Sequence, residues 1–109
     1  MRESQDEARA REGFLPARLE LVRPCGARPE YIELCFTTAE GAFNWCFRRP
    51  PRRRRRPAGP IALRSGPYGV HAYRLDEDGL GPALEISAAL PVITAGADVY
   101  VARDLVASR

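Results

Sequence analysis

Arginine is the side chain with most chemical potential in this chain, and it is concentrated. Arg48, Arg49, Arg52, Arg53, Arg54, Arg55, Arg56 and Arg64 lie in one stretch that contains no acid, while the segments on either side hold more acids than arginines. The net charge of +3 is what remains when that local positive charge is set against two weakly negative flanks. A guanidinium presents a planar fork of donors that meets two phosphate oxygens at once, so a dense run attracts nucleic acid or is read as a nuclear-import signal. All 17 basic side chains are Arg, none is Lys, and Asn occurs once, at Asn44. GC-rich coding would give the same preference, and the run would then be a solvated surface loop.

The other reactive groups are few. His71 is the single histidine, and no nucleophile elbow at a serine or catalytic context at a cysteine accompanies it, so no triad is expected. Cys25, Cys35 and Cys46 form an odd set without a Cys-x-x-Cys pair, which predicts free thiols in a reducing compartment and no zinc site. Asp76-Glu77-Asp78-Gly79 opens like a calcium loop, but Ser87 stands where the twelfth-position carboxylate is needed, and an acidic hairpin turn is the expectation. No metal and no cofactor is expected.

A small chain has to position these groups. Its 109 residues suit one domain, and 45% apolar with 28% charged residues is a globular composition. No apolar run approaches the ~20 residues of a membrane-spanning helix, so no membrane partner is expected. Ser4 with Glu7 reads as a capping box and Glu7 with Arg11 as a helical pair, giving a charged N-terminal arm over 1–13 that is helical over 5–12 or disordered. This arm is not expected to be a secretory leader, since it lacks an apolar centre. An intracellular location, cytoplasmic or nuclear, is the expectation.

Residues 14–109 read as one β-barrel domain. Leu19 and Leu21 alternate with Arg18 and Glu20, and short apolar runs are cut by Gly, Pro and acidic turns. The clearest unit is a hairpin of 31–36 and 43–47 with Phe36 facing Phe43. That register collects Ile32, Leu34, Phe36, Phe43, Trp45 and Phe47 on one core face, and Tyr31, Glu33, Cys35, Asn44, Cys46 and Arg48 on the other. Further strands are expected at 61–64, 70–75, 83–87, 90–94 and 99–106. The predicted class is all-β, a small jelly-roll-like barrel or sandwich of seven or eight short strands, with an exposed Arg/Pro-rich loop over 48–60.

An ordered series of short motifs adds to this. Ala62-Leu63-Arg64-Ser65-Gly66 resembles the phosphate-contacting motif of trimeric deoxyuridine triphosphatases (dUTPases), Leu75 to Gly81 is similar to their Ile-Asp-x-x-Tyr-x-Gly element, and Ala95 to Val99 to their Gly-Asp-Arg-Ile turn. The likeness covers roughly the last fifty residues. It implies a trimeric β-barrel in which Arg64, Ser65 and Gly66 form a residual phosphate turn and Asp76 a residual sugar contact. Gly79 replaces the family's sugar-packing tyrosine and Pro82 the following acid. Neither the motif of the water-activating aspartate nor a Gly-rich covering arm is found. General-base activation and water exclusion would then be missing, so the resemblance implies a catalytically degenerate relative, similar to adenoviral early-region dUTPase-like proteins.

Two functions follow as expectations. One is a non-catalytic dUTPase-like regulatory protein acting through protein contacts, as a trimer or with a protein partner. The other is a basic nucleic-acid-binding β-barrel module, in which the arginine loop grips phosphates and Tyr68 or Tyr73 supplies a stacking face.

Overall fold

A computed structural model of the chain describes residues 13–49, 59–77 and 79–107. The helix expected over 5–12 and the run from Arg52 to Arg56 lie outside the described residues. Seven strands, β1 (Phe14–Cys25), β2 (Arg28–Thr38), β3 (Gly41–Arg48), β4 (Ile61–Gly66), β5 (Gly69–Asp76), β6 (Gly79–Leu84) and β7 (Val99–Ala102), form one sheet ordered β3-β2-β1-β7-β4-β5-β6. The fold is all-β, as the period-two pattern predicts, with a helix α1 (Ile86–Thr94) and a 3-10 turn Arg103–Leu105 added. All neighbouring strands are antiparallel except β4 and β7. Helix α1 touches both β3 and β5, which have four strands between them in the sheet order, so the sheet curls around it.

The expected hairpin forms with Phe36 opposite Phe43. Its strands run further than expected, to Thr38 and from Gly41, around a turn at Ala39 and Glu40. Thr38 fixes that turn: its hydroxyl donates to the Gly41 carbonyl at 2.8 Å and accepts from the Glu40 amide at 3.1 Å. Leu34, Phe36, Phe43 and Phe47 are buried and join Ile61, Leu63, Val99, Val101, Leu90 and Ile93 in the main core. Each such side chain gains about 1.5 to 3 kcal/mol from leaving water.

Several expectations are corrected. Residues 90–94 are the second half of α1 rather than a strand, and 83–87 divides between the end of β6 and the start of α1. Ile86, Ala89, Leu90 and Ile93 have the i, i+3, i+4, i+7 spacing of a helix face, and the last three are buried. Pro91 inside α1 lacks an amide to donate and crowds the preceding turn, so packing on the core must outweigh local propensity. The last strand stops at Ala102 and tightens into the 3-10 turn instead of reaching Val106.

Leu19 and Leu21 do not share a face. A bulge lies between them, so Leu19 opposes Phe36 on the core side and Leu21 opposes Cys35 on the outside. Glu20, the extra residue, accepts from the Thr37 hydroxyl at 3.1 Å and pairs with Arg18. Residues 14–17 of β1 pair with β7 and residues 18–25 with β2, so the strand changes partners just before the bulge and this is where the sheet bends.

Trp45, expected in the core, keeps 42% of its surface exposed. The register is the expected one, but β3 ends the sheet, and among the described residues no further strand covers its indole.

The expectation of three free thiols fails: Cys25 and Cys46 form a disulfide, and Cys35 alone is free. These two belong to strands that are not neighbours, and spacing along the chain could not show that the tip of the β1–β2 hairpin folds over β2 to reach β3. Free thiols no longer support an intracellular location, because such bonds persist in oxidising compartments. Among the described residues, no helix is long and apolar enough to cross a membrane.

Candidate nucleic-acid interface

Strand β3 pairs with β2 along one side only. On its other side the Ala107 amide donates to the Ala42 carbonyl at 3.1 Å, and from Phe43 to Arg48 no strand among the described residues adds to it. Gly41 permits that closure. Its φ of 140° disfavours any side chain, and a Cβ there would run into the Ala107 carbonyl.

A hollow of about 540 Å³ touches Asn44, Trp45, Cys46, Phe47 and Arg48 in succession. Consecutive strand residues point to opposite faces, so a hollow that meets all five runs along the strand's edge rather than over either face. Arg28, Tyr31 and Glu33 from β2 form one end. The opposite wall is Tyr68 and Val70 from the β4–β5 hairpin, with Ile86 at the start of α1. The wall comes close because Gly69 carries no side chain: a Cβ there would stand 3.3 Å from the Trp45 ring.

The groove is basic in balance. Its one acid among the described residues, Glu33, is engaged by Arg23, whose guanidinium is held above its ordinary value first by that hydrogen bond and then by the nearby Cys35 and the Glu33 charge. Neither Arg28 nor Arg48 forms a salt bridge with a described acid. Arg28 lies over the Tyr31 ring at 5.4 Å, which covers that ring face with a cation. The two roots of the arginine segment are fixed: the Arg49 amide donates to the Glu30 carbonyl at 2.7 Å, and the Pro60 carbonyl accepts from the Leu75 amide at 3.0 Å. Arg48 and Arg49 therefore bring the beginning of the run to the groove's rim.

The residues suggested by the dUTPase resemblance are not brought together within the chain. Arg64 opposes His71, Gly66 opposes Gly69, and Asp76 pairs with Gly79 beyond the other end of the β4–β5 ladder. Arg64 lies over the Tyr73 ring at 5.7 Å, and Ser65 is exposed beside it in β4. Gly66 leaves the space that the His71 ring occupies, and the Asp76 carboxylate pairs with Arg74 at 3.1 Å and rests against Gly81. Tyr73 faces Arg64 on the convex side of the sheet, in a small cluster with Ala62, Leu75, Phe14, Leu80 and Tyr100, away from the groove.

The sequence singled out Arg48 and Tyr68, which line this groove, but gave no sign of Trp45 and Arg28 beside them or of the groove itself. No local signal marks β3 as an edge strand, since that depends on where every other strand goes. Compared with protein-family models, curated proteins and solved structures, the chain matches none.

Proposed function

We propose that this protein binds nucleic acid, with Arg28, Arg48, Arg49 and the run Arg52 to Arg56 neutralising backbone phosphates. The observation that carries the reading is that Arg48, where the run begins, lines the same groove as the exposed Tyr68. Arginine forks supply phosphate contacts, and an aromatic ring beside them supplies a surface that a base can use. The fold holds Arg48 on the β3 edge and Tyr68 on the β4–β5 turn that faces it. The functional unit is a binding module, and no residue is given a catalytic role.

Binding measured across a salt series tests this. Log affinity should fall linearly with log salt, with a slope of about −0.7 per contacted phosphate on single strands and about −0.9 on duplex. Replacing Arg52 to Arg56 by Ser should flatten the slope. Absence of binding at low salt, or a variant that binds like the parent, would reject the reading and leave the run as an import signal or a solvated loop.

A non-catalytic dUTPase-like trimer is supported by the motif series in the sequence. It would need Arg64 to Gly66 of one chain to meet Asp76 of another. A sedimentation mass of three chains would favour it, and a monomer would remove it.

A further inference from the structure

The chain has one tryptophan, and it stands where a core side chain is expected, yet it is 42% exposed. Trp45 is nonetheless held. Its ring stacks near-parallel on Phe43 with centroids 6.4 Å apart, and its edge abuts Gly69. Next to Gly69, Tyr68 is 96% exposed and buries almost nothing. Two aromatic rings therefore border one groove, one fixed and partly open, the other almost wholly in water. Exposed apolar surface of this kind is unfavourable in a free protein and is what a flat, π-faced ligand would cover.

The charge around the rings selects the ligand. Arg28 and Arg48 stand at the groove without an acidic partner among the described residues, and Glu33 is already engaged by Arg23. Tyr31 is excluded as a stacking face because Arg28 lies over it. Cationic forks beside uncovered rings match a polymer that alternates phosphates with flat bases. In a duplex each base is covered above and below by its neighbours, so only an unpaired strand can offer a base face to an indole or a phenol.

Resting on the nucleic-acid reading above, we propose that the groove along the free edge of β3 is a base-stacking site for single-stranded nucleic acid. Trp45 and Tyr68 receive bases on their ring faces, and Arg48 and Arg28 hold the intervening phosphates. Cys46 also lines the groove and is tied to Cys25 beside the β1–β2 turn, so the disulfide keeps Arg28 at its end of the site.

The test uses the full, disulfide-intact chain and the emission of its single tryptophan, read beside the anisotropy of a labelled oligothymidylate of about twelve nucleotides and of a duplex of equal length. The single strand should quench Trp45 as it binds, and the duplex should bind without quenching. Tyr68→Ala should weaken single-strand binding by about 5- to 150-fold while leaving the salt slope, the duplex affinity and the melting transition unchanged, and Tyr68→Phe should restore it. If the oligonucleotide binds with the expected salt slope but leaves the emission unchanged and Tyr68→Ala binds like the parent, the stacking site is wrong and the phosphate-binding reading stands. If neither nucleic acid binds at low salt, both fall. Quenching by an acidic peptide in that case would assign the β3 edge to strand addition instead.

Discussion

At the scale of single residues, burial rather than residue type separates Phe36 from Trp45. Both lie on the core side of one hairpin, but Phe36 is 1% exposed and Trp45 42%. Truncating Phe36 to Ala removes a ring from a closed core and should cost about 3 to 5 kcal/mol. Trp45→Ala removes a ring already half in water and should cost about 1 to 2 kcal/mol, with its larger effect on ligand binding. Urea unfolding of the two variants checks this, and equal losses would place Trp45 in the core after all. The sequence made both residues visible as one apolar stripe. It could not rank them, because the ranking depends on what stands beyond β3.

Among the elements, α1 and the disulfide are where local pattern and fold part company. Residues 86–94 combine β-branched side chains and an internal Pro91 with a spacing that also fits a helix, and the curl of the sheet around them selects the helix. A strand would bury alternate residues, whereas α1 buries Ala89, Leu90 and Ile93. Ile93→Ala should therefore cost about 2 to 5 kcal/mol, and Val92→Ala and Thr94→Ala much less. Large losses at both Val92 and Thr94 would restore the strand. The Cys25–Cys46 bond joins positions 21 apart in sequence. Closing a loop of that length restricts the unfolded chain, so adding a dithiol reductant, or changing both cysteines to Ser, should lower stability by about 3 kcal/mol. Unfolding midpoints unchanged by reductant would show that the bond does not form in solution.

For the whole molecule, the positive charge and the core are separable. The arginine run has fixed roots at Arg49 and Pro60, and the core among the described residues is built from apolar side chains. Replacing Arg52 to Arg56 by Ser should leave the unfolding free energy within about 0.5 kcal/mol of the parent while it weakens nucleic-acid binding. Paired thermal melts and salt titrations measure the two effects separately. A large loss of stability would mean that the run packs on the fold and that its charge is structural.

Sequence alone determined the features that depend on neighbours along the chain: the all-β class, the Phe36–Phe43 register, and the concentration of arginines between two strands. Strand alternation and hairpin pairing act over a few residues, so they can be read in order. Only the tertiary structure decided that β3 is an edge, that β1 bends at a bulge, that the hairpin tip reaches Cys46, and that Arg48 and Tyr68 share a groove with Trp45. Each of these depends on contacts between segments far apart in sequence. Such contacts are chosen by the packing of the whole sheet around α1, and no single segment carries that information.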